Sequence, residues 1–373
     1  MRDVVIAGYA RSPFTLANKG ALARVRPDDM AAEVVKALIA RTGVKAEDIE
    51  DLLMGCAFPE GEQGFNIARL VVLLADLPLS VGGMTINRFC GSSMSGVHYA
   101  AGQIQLGAGE VFICAGVESM SRVPMMGFNP MPNPALAKLS QAYIGMGDTA
   151  ENVAKAYGIS RAEQEAFAVL SQGKTRDAIA AGKLADEIVP VAGVSVDGTP
   201  RPETTAETLA GLKPAFSVDG TVTAGTSSPL TDGAAAVLVC SMDYALAQNL
   251  EIIAKIKSVA VSGCAPEIMG IGPVASSQKA LTRAGLSADK LDVVELNEAF
   301  ASQSLAVIRD LGLDVAKVNL DGGAIAVGHP LGATGARIVG KAASLLKREG
   351  GKYALATQCI GGGQGIATVL EAI

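Results

Sequence analysis

The sequence predicts an α/β protein made of two duplicated halves, with an irregular segment inserted into the first. Three observations carry that prediction. Apolar runs of strand length alternate with runs of helix length, the pattern of stacked α and β layers. The stretch KALIARTGVKAEDIEDLLMGCAF (36–58) matches KALTRAGLSADKLDVVELNEAF (279–300) with one gap and the same Ala-Phe ending, so the chain repeats itself. From Ser121 to about Ser228 the pattern gives way to chain rich in Pro, Met and Gly, RVPMMGFNPMPNPALAK, which is too irregular for a core layer and reads as a loop domain over a site.

The elements follow in order. VVIAGY opens as a strand, Asp28 to Arg41 reads as a helix, LLMGCAF as a strand and Asn66 to Leu74 as a helix. TINRFCGSSMSGVHYAAGQIQLGAGEVFICAG then gives strand, small-residue turn, helix and strand. The insertion carries one clear helix, opening at Ser160 with Glu163 three residues on, the spacing of a capping box. AAVLVC returns as a strand. The second half repeats the plan through IIAKIKSVAV, VVELNEAF, the glycine-rich KVNLDGGAIAVGHPLGATGARIVGKAASLL, YALATQC and GIATVLEA. The domains expected are 1–243, with the loop domain at about 121–228, and 250–373.

Composition narrows the function. With 49% hydrophobic and 18% charged residues among 373, the chain has a large core to bury. Its apolar runs fall short of the roughly 20 residues that cross a membrane, so no membrane span is expected. The start, MRDVVIAGYA, lacks the basic, apolar and cleavage segments of an export signal, which points to the cytoplasm. Cys56, Cys90, Cys114, Cys240, Cys264 and Cys359 form no CxxC pair, which argues against a disulfide scaffold or a zinc site. A net charge of −6 disfavours nucleic acid as a partner.

Few residues remain that can do chemistry. Cys90, in NRFCGSSMSG, follows a strand and precedes a helix, where free N–H groups and the helix dipole favour a thiolate. A buried small hydrophobe is the plain alternative. Of the two histidines, His98 lies about two turns, roughly 12 Å, into the following helix and reads as structural. His329 sits in GGAIAVGHPLGATGAR, whose glycines leave room for a substrate, and is the credible base. Cys359 closes YALATQC and opens CIGGGQG, where unhindered N–H groups suit an oxyanion. Asn297 and Glu298 end a strand, where open sheets place ligands, although an Asn satisfied in a turn explains the first as well. GARIVGKA (335–342) mimics a phosphate loop but has Ala342 where Ser or Thr is required, and it reads as helix. No G-x-G-x-x-G follows a strand, so a dinucleotide fold has no support.

With NRFCGSSMSG, NEAF, GGAIAVGHPLGATGAR and CIGGGQG in this order, the sequence resembles the thiolase family throughout its length, and AGVESMSRVPM, GDTAENVA and TVTAGTSSPLTDGAAAVLV agree. The resemblance implies two βαβαβαββ halves in five layers, α-β-α-β-α, with two central buried helices and a loop domain over the site. It implies that Cys90 takes the acyl group from a thioester, that His329 accepts the thiol proton, and that Cys359 moves a proton at the α-carbon. His329 with a water held by Asn297 would form one oxyanion hole, and the N–H groups of Cys90 and Gly361 the other. Arg201, Ala224 and Ser228 match positions lining the coenzyme A pocket, with Met146 and Phe300 near the thioester arm. Coenzyme A and acyl-CoA are then substrates, no bound cofactor or metal is implied, and a homodimer or homotetramer is expected, with a hydratase/dehydrogenase partner left open.

CGSSM, RPETT and CIGGGQG look like the degradative 3-ketoacyl-CoA type; the alternative is the biosynthetic acetyl-CoA C-acetyltransferase. That type usually has His before the Met of its HMG segment, whereas Gly145 stands there in this chain, leaving room for a longer acyl group. Ketoacyl-carrier-protein synthases share the fold but need two histidines in the second half, where this chain has one. A papain-like protease frames its cysteine differently. A non-catalytic, lipid-binding relative would have lost one of Cys90, His329 and Cys359, all of which are present.

Overall fold

The computed structural model describes residues 2–373. The first half runs β1 (Val4–Arg11), β2 (Thr15–Leu16), α1 (Pro27–Thr42), β3 (Asp51–Gly55), α2 (Ile67–Leu74), β4 (Gly82–Ile86), α3 (Ser92–Leu106) and β5 (Val111–Ser119). The insertion holds α4 (Pro134–Leu139), α5 (Met146–Ala156), α6 (Arg161–Ala180) and α7 (Ala206–Ala210) before β6 (Thr231–Ser241) and α8 (Met242–Ala247) complete the half. The second half is β7 (Ala254–Gly263), α9 (Gly272–Ala284), β8 (Val293–Leu296), α10 (Ala301–Leu311), α11 (Ala324–Val327), α12 (Leu331–Arg348), β9 (Tyr353–Ile360) and β10 (Gln364–Glu371).

Local chemistry explains the boundaries. α1 starts with Pro27 and two first-turn aspartates, which suit the positive helix end, and stops at Gly43, whose φ of 69° few other residues adopt. In α6 the box is present: Glu163 accepts from the Ser160 N–H at 2.8 Å while the Ser160 hydroxyl accepts from the Glu163 N–H at 3.3 Å.

The strands are ordered β4-β3-β5-β6-β1-β7-β10-β9-β8, with β2 beside β6. The halves join through two residue pairs, Val5–Lys255 and Ile6–Ala254. Alternation along each strand separates the layers. Leu52, Met54, Ile113, Ala236 and Leu238 face α1 and α2. Leu53, Cys114, Val237 and Val239 face the other way, onto Val97 and Ala100 of α3 and Ile338 and Val339 of α12, which also meet Ala354, Ala356 and Ile366 of the second half. Leu355, Ala367 and Val369 then face α9 and α10. The result is the five-layered α-β-α-β-α sandwich, with α3 and α12 as its buried centre. Gly335 lets those helices touch, since a Cβ there would come within 2.3 Å of the Met94 nitrogen.

Two features differ from the expected pattern. The third strand of the second half shrinks to one bridge, Val294–Val318. Asn319 turns to φ 48° just after it, and its side chain accepts from the Leu296 N–H and donates to the Leu296 carbonyl, both at 2.9 Å, in place of a ladder. The insertion contains four helices where the sequence suggested one clear one; α4 and α7 have 6 and 5 residues, too short to leave a periodic signal. No described helix is long and apolar enough to cross a membrane.

Candidate active site

Cys90 sits in a tight turn between β4 and α3. The Asn87 side chain accepts from the Phe89 N–H at 2.8 Å, and Phe89 itself is held at φ 45°, a strained value for a bulky residue. The Ser92 hydroxyl accepts from the Arg88 N–H at 2.9 Å and donates to the Phe89 carbonyl at 2.5 Å. Gly91 leaves room for the second half: a Cβ there would lie 2.5 Å from Ile360. From that half Gln358 donates to the Cys90 carbonyl at 2.5 Å. Burial pushes the Cys90 thiol up to about 12, against the pull of the Gly361 N–H. Desolvation thus works against the thiolate that the free N–H groups at the helix mouth favour, and a thiol so raised needs a base.

His329 lies just ahead of α12 and is buried. Its N–H donates to the Thr231 hydroxyl at 3.0 Å, and Nδ1 lies 2.6 Å from the Thr334 hydroxyl. That hydroxyl donates to the Pro330 carbonyl at 3.4 Å, so it accepts from Nδ1–H and leaves Nε2 bare, an assignment made from the bonding network. Nε2 faces the Asn297 amide at 3.4 Å, and Asn297 Oδ1 is buried with no hydrogen-bond partner among the described residues. Burial, and after it Arg337, lowers His329 to about 3, so the imidazole is neutral. Next to Asn297, Glu298 accepts from Ser171 at 2.7 Å, Asn319 at 2.7 Å and the Ile325 N–H at 3.2 Å, tying the strand end to the loop that carries His329.

Cys359, at the end of β9, packs with Phe300, Ala299, Met269 and Met146. Burial, then the Cys90 and Cys264 thiols, pushes it well above the ordinary thiol value. A cavity of about 340 Å³ opens over Cys90 and Gly361, lined by Phe58, Phe89, Met125, Met131, Tyr143 and Met146 among others. Gly145 is part of the same lining.

The structure thus joins Cys90, Gly361 and Met146 in one cavity, Asn297 and His329 in one contact, and Cys359, Phe300 and Met146 in one cluster. Ser228 donates to the Ala299 carbonyl at 3.0 Å, which sets it beside Phe300. Arg201 and Ala224 are exposed and stand outside the cavity lining. His98 bonds to the Thr368 hydroxyl at 2.9 Å. Sequence reasoning missed Thr231, Thr334, Gln358 and Glu118, whose carboxylate accepts from the N–H groups of Ala57 at 2.8 Å and Gly332 at 2.9 Å and so ties β3 to the start of α12. Only Thr334, five residues after His329, left a signal that could have been followed.

Cys90 on an apolar cavity, a second buried thiol packed with Met146 of that cavity's wall, and a neutral imidazole against an amide are carried by one five-layered duplicated sandwich, the architecture of a thiol-dependent acyltransferase class. The chain belongs to the thiolase family: the model of the thiolase N-terminal domain matches residues 4–243 and that of the C-terminal domain residues 250–372. It is 49% identical over 389 residues to the 3-ketoacyl-CoA thiolase of Bacillus subtilis, covering 100% of both chains. It is 48% identical to that of Marinobacter nauticus, covering 100% of this chain and 99% of the other. The crystal structure of human mitochondrial 3-ketoacyl-CoA thiolase in complex with CoA superposes with a TM-score of 0.93 at 39% identity, over 100% of this chain and 98% of that one.

Proposed function

We propose that the protein is a 3-ketoacyl-CoA thiolase, an acyltransferase that cleaves 3-ketoacyl-CoA with free coenzyme A to acetyl-CoA and a shortened acyl-CoA, or runs the reverse condensation. What supports the residue roles is the protonation of the two groups, a Cys90 thiol that needs a base and a neutral His329 whose Nε2 carries no proton. His329 takes the Cys90 proton as the sulfur attacks the 3-keto carbonyl, and the Cys90 and Gly361 N–H groups receive the tetrahedral oxyanion. The Cα–Cβ bond then breaks, leaving the acyl group on Cys90 and an acetyl-CoA enolate. Cys359 protonates that enolate, while His329 and the Asn297 side chain, through a water, stabilise its oxygen. The imidazolium returns its proton to the Cys359 thiolate; His329 then takes the thiol proton of incoming coenzyme A, which attacks the thioester, and hands that proton to the departing Cys90 sulfur as the shortened acyl-CoA is released.

The apolar cavity takes the acyl chain, and Arg201, Ala224 and Ser228, at the exposed end of the insertion, take coenzyme A, with Met146 and Phe300 along the thioester arm. Fatty-acid β-oxidation supplies such substrates. The cytoplasm suits the reading, because all six cysteines are free and two must stay reduced. A homodimer or homotetramer is supported by the apolar side chains beside edge strand β4, Phe65 at 93% exposure and Leu79 at 77%. Loss of magnesium-enolate absorbance of a 3-ketoacyl-CoA, dependent on added coenzyme A, tests the activity. Intact mass with a peptide map tests the intermediate: one acyl adduct on Cys90 is expected, and an adduct on Cys56, Cys114, Cys240 or Cys264 overturns it.

A further inference from the structure

Strand β8 and helix α12 meet twice. At the open end, Asn297 and His329 stand 3.4 Å apart. Two residues back along the strand, Glu295 accepts from Arg337 Nη1 at 2.7 Å. Alternate strand residues share a face, so Val293, Glu295 and Asn297 all look into the central helix layer, where Val293 packs with Ile338 and Val339. The two contacts are consecutive rungs between the same two elements.

For stability the lower rung is a poor device. Its side chains are 4% and 0% exposed, and Glu295 Oε1, Arg337 Nε and Arg337 Nη2 are buried with no hydrogen-bond partner among the described residues. A buried ion pair offsets its desolvation only when the remaining lone pairs and protons are satisfied; an apolar pair of similar volume is often as stable or more so. What an apolar pair cannot supply is a directional bond that fixes the register of helix on strand, or a fixed charge roughly 9 Å down the helix from its mouth.

We propose that Glu295 and Arg337 are a positioning pair for acyl transfer: they lock α12 against β8 so that His329 meets Asn297, and they set a permanent positive charge beneath the imidazole. The inference rests on the roles given above to His329 and Asn297. Thr334 and Arg337 of α12, Asn297 past the end of β8 and Thr231 of β6 act on His329 directly, and the charged groups on the elements packed around it are Glu295, Glu298 and Glu118, which accepts from the Gly332 N–H. Among these, Arg337 is the charge that holds the imidazole's basicity down, after burial itself.

The test replaces both partners, Arg337→Met with Glu295→Leu, so that neither charge is left buried alone. The thermal midpoint should hold or rise. Turnover in thiolysis should fall by about tenfold or more, because a small misplacement of reacting groups is costly. KM for coenzyme A should stay within about threefold. The acid limb of the kcat profile should move to higher pH by about half a unit or more as the imidazole regains basicity. Turnover within about twofold of the parent, with the acid limb in place, overturns the proposal. If the double variant does not fold, Arg337→Lys decides: the charge is kept while the planar, rigidly held Nη1 donor that reaches Glu295 is lost, which should cost about fivefold or more in kcat with the acid limb unmoved, and unchanged kcat overturns the proposal. Failure of the underlying reading looks different, since His329→Ala would then keep the parent's acid limb whatever the pair does.

Discussion

At the scale of single residues, the two thiols share one property and differ in task. Burial keeps both protonated at neutral pH, Cys90 at about 12 and Cys359 well above the ordinary value. In the proposed reaction a protonated Cys90 attacks only once His329 takes its proton, whereas a protonated Cys359 is already the acid that the enolate needs. Exchange of labelled coenzyme A into acetyl-CoA requires acylation and its reversal but no enolate. Cys359→Ala should therefore retain much of that exchange while losing about 10²-fold or more of thiolysis and condensation, the usual size of a general acid–base contribution. Cys90→Ala should lose all three. Equal loss of exchange in both folded variants would place Cys359 in the acylation step. The cysteines and His329 were legible because glycines and strand ends frame them. Thr231 and Gln358 were not, because their roles come from contacts spanning 98 and 268 residues of chain.

At the scale of elements, the insertion walls the cavity over Cys90. Its first stretch, ahead of α5, supplies Met125, Met126, Met131, Tyr143 and Ile144 to the cavity wall, and Met131 is 92% exposed, so the cavity is open along that side. Unbranched thioethers adapt to chains of different length. Six- to ten-carbon 3-ketoacyl-CoA should therefore be cleaved at least as well as acetoacetyl-CoA, each buried methylene contributing about 0.8 kcal/mol. Met125→Trp, which fills the wall, should lower the kcat/KM ratio of the ten-carbon to the four-carbon substrate by about tenfold, the equivalent of two methylenes. A parent enzyme confined to the four-carbon substrate would refute this. The sequence marked the insertion as irregular and rich in Met but could not fold it. Short helices such as α4 are held by single caps, here Asn133 accepting from the Ala135 N–H at 2.9 Å, rather than by an apolar period.

At the scale of the molecule, one polar seam runs through the otherwise apolar centre. Below Glu295–Arg337, Lys341 pairs with Asp321 at 2.7 Å and Glu187 at 2.8 Å, and Arg11 pairs with Glu187 at 2.8 Å and Asp197 at 2.7 Å, tying the insertion to β1 and α12. No spacing in the sequence announces it, since its members come from positions 11 to 341 and meet only when the halves close. The buried titrating groups give the folded state a pH dependence with opposing parts. His329 and His98 are lowered to about 3, chiefly by burial, so below pH 6.5 the unfolded chain binds protons that the native state refuses and stability falls with pH. Glu295 is raised from 4.5 to about 7, again chiefly by burial, so between those values the native state holds a proton that the unfolded chain releases, and stability rises as pH falls. A fully coupled group contributes about 1.4 kcal/mol per pH unit; His98, partly exposed, should contribute less. Denaturant unfolding between pH 5 and 6.5, at fixed protein concentration because assembly also stabilises, should then show one net acid decline, with the Glu295 contribution offsetting part of the histidine one. His98→Gln, which can still donate to Thr368, should flatten the acid decline, and Glu295→Gln should steepen it by roughly 1 kcal/mol per pH unit. If both variants tilted the profile the same way, the burial of one of these two groups would have been assigned the wrong sign.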